Sequence, residues 1–257
     1  MARSIDLNAD IAESWGAYDI GNDAAMMDIV SSANIACGFH GGDASTMYRV
    51  VMRAKERGVS IGAHPGFNDL WGFGRRKIRM NAAELEHMVA YQIGALQAMA
   101  AYGGLGVTHV KAHGALSNMA AQDEAYAMAI GRAIKVVDPA MIYVALPGSE
   151  LHRAAGRLGL KVAREGYCDR RYADDGTLAP RSIAGAVLTD AGEACEQTLR
   201  MVLQGNVVSV NGKTIKVEVD TLCVHGDEMT GVAVAAAVKK ALEVAGVRIV
   251  PLPQMIA

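Results

Sequence analysis

Ile5-Asp6-Leu7-Asn8-Ala9-Asp10, read beside Val107-Thr108-His109-Val110-Lys111-Ala112-His113, decides the fold. Successive side chains of an extended strand point to opposite faces, so residues two apart share one. In the first stretch Ile5, Leu7 and Ala9 make an apolar face and Asp6, Asn8 and Asp10 a polar one. In the second, Val110 and Ala112 oppose His109, Lys111 and His113. The apolar faces belong against helices. A face of Asp, Lys and His is costly to bury unless its members pair or meet solvent in a cleft. A β/α barrel offers both surroundings, with helices outside and an axis that opens at one end. A structural ion-pair network would account for one such ladder; two on different strands favour a site.

Outward from these strands, short apolar segments alternate with amphipathic helical ones. Strands are expected at Ile5–Asn8, Ala33–Ala36, Ser60–Ala63, Val107–Lys111, Met141–Leu146, Lys161–Glu165, Thr221–Val224 and Arg248–Val250. Helices are expected between them at Asp23–Ser31, Ala44–Arg57, Ala82–Ala101, Ala121–Val137, Ser149–Leu158, Asp190–Gln204 and Gly231–Ala245. Asn81 can cap the third helix with Glu84 as its capping-box partner, and Gly103 can end it. Val207–Val210, Asn211-Gly212 and Thr214–Val219 read as a hairpin with a type I′ turn, inserted near 206–219. With no linker, low-complexity tract or repeat, residues 1–257 read as one domain. Seven or eight uninterrupted βα units favour a closed or distorted barrel of mostly parallel strands over an open doubly wound sheet.

Composition bounds the function. The chain has 257 residues, 51% hydrophobic and 20% charged, enough for a large core, and its net charge of −2 comes with no basic block. Neither nucleic acid nor an anionic membrane is an expected partner. The four cysteines, Cys37, Cys168, Cys195 and Cys223, lack disulfide or metal spacing and read as free thiols of a reducing compartment. No apolar run approaches the roughly 18 residues of a membrane span, and no charged-then-apolar leader opens the sequence; a cytoplasmic protein is expected.

Polar residues gather at strand ends. The second strand leads to Asn34, His40 and Asp43, the third to His64, the sixth to Glu165, Asp169, Arg170 and Arg171, and the seventh to His225-Gly226-Asp227. In barrel enzymes the C-terminal strand ends carry the chemistry, and the glycines beside these residues permit close backbone approach. His87 and His152 fall on helices and read as surface or packing residues. Arg75-Arg76, after Gly72-Phe73-Gly74, suit either solvent or an anion. Gly38-Phe39-His40-Gly41-Gly42 lacks the Gly-Lys-Ser/Thr ending of a P-loop, and no GxGxxG follows the first strand.

Seven segments together resemble one family. They are Asp6-Leu7-Asn8-Ala9-Asp10, Ser32-Ala33-Asn34-Ile35-Ala36-Cys37-Gly38-Phe39-His40, Gly62-Ala63-His64-Pro65, Gly72-Phe73-Gly74-Arg75-Arg76, His113-Gly114-Ala115-Leu116, Asp169-Arg170-Arg171-Tyr172 and Val224-His225-Gly226-Asp227. In order and across almost the whole chain, they are similar to the signatures of the 5-oxoprolinase A-subunit family, the LamB/YcsF lactam-utilisation family. The chain departs from the family's usual residues in having Ala12 for Gly, Ala112 for Pro, Ser117 for Tyr, Tyr167-Cys168 for Phe-Ala, and Glu228-Met229 for Thr-Pro. The resemblance implies a distorted barrel akin to glycoside hydrolase/deacetylase barrels. It also implies ATP-dependent opening of 5-oxo-L-proline (pyroglutamate) to L-glutamate, with partner subunits B and C.

Lactam opening needs a base for water, cations for phosphate and donors for the developing oxyanion. The expected catalytic set is Asp10, His40, His64, Lys111, His113 and Asp227, with His64 and His113 as acid/base groups and Asp10 orienting them. Asn8 and Asn34 are expected to contact the amide, and Arg75, Glu165, Arg170, Arg171 and His225 to complete substrate and phosphate binding. ATP is the expected cofactor. Asp10, His40, His64 and His113 could instead hold a divalent metal such as Mg²⁺ that activates water. Two further classes stay open: a metal-dependent deacetylase or amidohydrolase acting without ATP, and a non-catalytic subunit that binds a lactam.

Overall fold

The computed structural model describes residues 3–180, 183–225 and 230–256. In chain order the elements are β1 (Ser4–Ile11), α1 (Asp23–Met26), β2 (Ser32–Ala36), α2 (Ala44–Arg57), β3 (Ser60–His64), α3 (Ala82–Gly103), β4 (Val107–Val110), α4 (Gly114–Ala120) and α5 (Glu124–Val137). There follow β5 (Ile142–Ala145), α6 (Glu150–Leu158), β6 (Val162–Tyr167), α7 (Ala191–Leu199), β7 (Asn206–Val208), β8 (Thr214–Lys216), β9 (Thr221–Cys223), α8 (Gly231–Val244), β10 (Arg248–Ile249) and α9 (Leu252–Met255).

Seven strands run parallel in the order β1-β2-β3-β4-β5-β6-β9, and β9 pairs back onto β1, so the sheet is a closed barrel. β10 adds an eighth parallel strand at the start of β1, where Ser4 faces Arg248. Closure follows from β1. Its eight residues are long enough to pair with β9 through Asp6–Asn8 and with β2 through Asn8–Ile11.

The two faces of β1 divide as the period-2 pattern requires. Ile5, Leu7, Ala9 and Ile11 are buried in the large apolar cluster with Val51, Leu85, Ile93, Ile130 and Val238 from the helices. Asp6, Asn8 and Asp10 reach across the interior to residues of other strands. Instead of the branched apolar layers usual in such barrels, a hydrogen-bonded polar interior fills the axis.

Several local expectations are corrected. The hairpin of β7 and β8 is present, but its turn is not type I′, which needs positive φ at both central residues. Gly212 has φ +83° while Asn211 does not lie at positive φ, and the turn closes as Gly212 N–H donates to the Ser209 carbonyl. Asn81 caps α3 through the Ala83 amide, but Gly104 rather than Gly103 takes the left-handed position that ends it. Gly103 lies against Val51 instead, where a Cβ would come within 2.9 Å of Val51 Cγ1. α1 stops at Met26, well short of Ser31, and the turn from His113 continues as α4, a helix the sequence pattern did not reveal.

Candidate active site

The floor of the site is a polar network that joins β1 to its neighbours β2 and β9 and, across β3, joins β2 to β4. Asp6 on β1 accepts from the hydroxyls of Ser31 (2.8 Å), Ser32 (2.6 Å) and Thr221 (2.5 Å). Asn8 donates to Thr221 at 2.7 Å and accepts from Asn34 Nδ2 at 2.7 Å. His109 Nε2 meets Asn34 Oδ1 at 3.0 Å, its Nδ1 being held by Thr108. The imidazole of His109 fills the space over Gly62, where a Cβ would lie 2.2 Å from the ring. Burial pushes the Asp6 carboxyl up to about 6 despite its three donors, and burial with the Lys111 charge pushes His109 down to about 3.

Above this floor stands Lys111, buried but in the cavity wall. Its ammonium lies 2.9 Å from Asp10 Oδ1, 2.8 Å from Glu165 Oε1 and 3.1 Å from Cys223 Sγ. Burial alone would depress the amine, but the surrounding Asp10, Cys223 and Glu165 outweigh it and hold Lys111 charged. Tyr167 donates to Glu165 Oε2 at 2.7 Å, and its ring lies 5.6 Å from the Lys111 nitrogen. On the same wall His225 Nδ1 meets Asp169 Oδ2 at 2.7 Å. Burial would lower His225, yet the Asp169 charge raises it well above the ordinary imidazole value.

A second cluster joins β1, the loop after β2, and the ends of β3 and β4. His64 Nδ1 donates to the Lys111 carbonyl at 2.7 Å, and His113 Nε2 donates to the Phe73 carbonyl at 2.8 Å. A carbonyl only accepts, so the other ring nitrogens, His64 Nε2 and His113 Nδ1, carry lone pairs when the rings are neutral. Those nitrogens face each other at 3.0 Å. Asp10 Oδ2 lies 3.3 Å from His64 Nε2, and Glu13 Oε1 lies 3.3 Å from His113 Nδ1. His40 stacks on His113 with centroids 3.6 Å apart and sets its Nε2 3.2 Å from Glu13 Oε1. Burial chiefly, and then the neighbouring His40 and His64, lower His113 well below 6.5. Asp10 stays ionised: burial would raise it, but His64, Lys111 and His225 pull it well below 3.8.

Glu13 escaped the sequence reading because no strand period reaches it. Ala12, at φ +62°, turns the chain out of β1 and delivers the carboxylate. The backbone of the next loop presses against this turn: a Cβ on Gly41 would sit 2.8 Å from the Glu13 carbonyl, and one on Gly42 2.8 Å from that of Ala12. The only hint in the sequence was the glycine pair itself.

Both clusters open into one cavity of about 540 Å³ at the C-terminal ends of the strands. Asp10, His64, Lys111, His113, Arg75, Arg170 and His225 line it, as do Glu13, Phe73 and Tyr167. Other expected residues are placed differently. Asn8 and Asn34 do not line the cavity, since their amides are engaged with each other, Thr221 and His109 in the floor. Glu165 lies behind Lys111 and Tyr167, and His40 behind Glu13 and His113. Arg171 pairs with Glu193 on α7 at 3.2 Å and is absent from the cavity wall. Asp43 caps α2 and also accepts from the Gly16 amide. Arg76 is tied to Asp69, whereas Arg75 lies 5.1 Å over the Phe73 ring. Asp227 falls outside the described residues.

Among the described residues, two groups have donor atoms close enough to share a cation: Glu13 with His40, His64 and His113, and Asp10 with Cys223 and His225. Chemically, the cavity joins a cluster able to take up or release a proton to a wall able to hold an anion. Among the described residues no helix is long and apolar enough to cross a membrane.

The model of the LamB/YcsF family matches residues 5–257. The A subunit of 5-oxoprolinase from Nitrobacter hamburgensis is 53% identical over 249 residues, covering 96% of this chain and 98% of that one. The crystal structure of a lactam utilization protein from Thermus thermophilus superposes with a TM-score of 0.92 at 46% identity, over 96% of this chain and 99% of that one. The T48 deacetylase, at 15% identity and a TM-score of 0.50 over 99% of this chain and 90% of that one, shares the fold alone. With matches of this extent on both sequence and structure, the chain belongs to the LamB/YcsF family.

Proposed function

We propose that this chain is one component of an ATP-dependent 5-oxoprolinase, opening the lactam of 5-oxo-L-proline to L-glutamate together with partner subunits B and C. The names of its relatives support a role in 5-oxoprolinase. The observation that carries the chemistry is the single cavity joining the His64–His113 pair to the Lys111–His225 wall.

A lactam amine is a poor leaving group. Phosphoryl transfer from ATP to the lactam oxygen gives an imidate phosphate, to which water adds. Protonation of the ring nitrogen and cleavage of the C–N bond leave γ-glutamyl phosphate, and a second water releases glutamate and phosphate. His64 and His113 are the acid/base pair, oriented by Asp10 and Glu13; the lowered His113 is a neutral base near pH 7. Lys111 and His225, both held cationic, receive the carboxylate and the developing oxyanion. Arg75 and Arg170 on the wall receive phosphate. A volume of about 540 Å³ leaves room for the phosphorylated lactam.

The test is glutamate release from pyroglutamate and ATP by this chain with subunits B and C. Release that requires all three supports the reading, and equal release without this chain refutes it. The His/carboxylate cluster also favours a second reading, an amidohydrolase acting without ATP. Amide hydrolysis by the isolated chain without nucleotide would put that reading first.

A further inference from the structure

His64 Nε2 and His113 Nδ1 meet at 3.0 Å, each with a carboxylate oxygen 3.3 Å away. With both rings neutral, these nitrogens turn lone pairs toward each other, an arrangement that a cation among them would satisfy. One shared proton could relieve a single pair of atoms, but here four acceptor groups converge. We propose that His64 Nε2, His113 Nδ1 and the Glu13 carboxylate, with Asp10 alongside, bind one divalent transition-metal ion.

Three features of the chain support this site. First, the spacing fits. Two atoms each about 2.1 Å from one ion lie about 3.0–3.4 Å apart at right or tetrahedral angles, and the His64–His113 and His113–Glu13 separations are 3.0 and 3.3 Å. Second, both rings are oriented as ligands are: each donates its other N–H to a backbone carbonyl, which fixes the tautomer and directs the lone pair inward. Third, the carboxylates are themselves held, Glu13 by His40 and Asp10 by Lys111 and Asn34. A set of two imidazoles and carboxylates suits Zn²⁺, Mn²⁺, Fe²⁺ or Co²⁺ better than Mg²⁺. His40 is thus a positioning residue, because its Nε2 is engaged with Glu13 and its buried Nδ1 packs against Gly66.

This ion site shares a cluster with the lactam reading but does not depend on it. If the ion binds, His64 and His113 are its ligands rather than acid/base groups, and it would supply Lewis acidity there. The experiment measures binding rather than turnover. The untagged full chain, stripped with chelator, is titrated with Zn²⁺ by calorimetry and with Co²⁺ by visible absorption. One ion per chain is expected, with at least 100-fold weaker binding in Glu13→Gln and His113→Ala, 10- to 100-fold weaker binding in His40→Asn, and unchanged binding in His87→Ala. Circular dichroism of each variant separates lost ligands from lost fold. No saturable Zn²⁺ or Co²⁺ binding by the wild-type chain would overturn the proposal. So would full-strength binding in both ligand variants, or a Co²⁺–thiolate band placing the ion at Cys223. Absent binding alongside intact three-subunit glutamate release would remove the ion and leave the lactam reading standing.

Discussion

Ala12 occupies left-handed backbone, φ +62°. An L side chain there is strained by about 1–2 kcal/mol, partly offset because alanine restricts the unfolded chain. Ala12→Gly should therefore stabilise the protein by up to about 1 kcal/mol in urea unfolding; a loss would mean that the turn is held by contacts to Cβ. His113 lies at the meeting point of the His/carboxylate cluster and lines the cavity. His113→Ala should lower three-subunit turnover by about 10²–10⁴-fold, the range for a lost proton-transfer group, while circular dichroism stays unchanged. Full activity would show the ladder to be structural. Asp6 gives a stability test. Burial raises its carboxyl from 3.8 to about 6, so the folded state holds the proton more tightly than the unfolded one. The contribution of Asp6 to stability is then greatest below about pH 4, falls by about 3 kcal/mol as pH rises to about 6, and is level above. Asp6→Asn should remove that fall, raising the melting temperature at pH 7.5 relative to pH 4. An unaltered pH profile would contradict the raised value.

Among the elements, β3 and β4 depend most on one small residue. The β3–β4 register shifts at Ile61/Gly62, and the His109 ring occupies the space a Gly62 side chain would need. Gly62→Ala should therefore destabilise by about 2–4 kcal/mol, because backbone and a fully buried ring must both move; a change below about 1 kcal/mol in urea unfolding would show that the floor yields. β4 itself was legible from its alternation, since a register error of one residue would turn His109, Lys111 and His113 toward the helices. The helix after it was not. Gly114–Ala120 is short, and its start at Gly114, φ +49°, is set by packing of the Gly74 carbonyl against it rather than by a capping side chain. The type I′ reading of Asn211-Gly212 failed for a related reason. The Ser209 hydroxyl and Lys213 take part in the turn together with Asp174 on another loop, so distant contacts chose its geometry.

For the whole molecule, the proposed chemistry divides between chains. The isolated protein should release neither glutamate from pyroglutamate nor phosphate from ATP above background; robust ATPase activity from contaminant-free chain would sink the division of labour. What the sequence determined was the periodic part. Alternating polar and apolar residues on β1 and β4 require a sheet with helices on one side and a polar axis on the other, because side-chain direction in a strand follows from local geometry alone. His64, Lys111, His113 and His225 were found at the strand ends for that reason. Depth along the axis was decided only by the tertiary structure. Asn8 and Asn34 share their face with Asp10, yet they lie in the floor while Asp10 reaches the cavity. That difference depends on the stagger of β2, β4 and β9 around the barrel, which no single strand encodes. Glu13 likewise enters the site through a turn closed by Gly41 and Gly42, 28 and 29 positions further along the chain. Period fixes a face; only closure of the sheet fixes which residues on it meet.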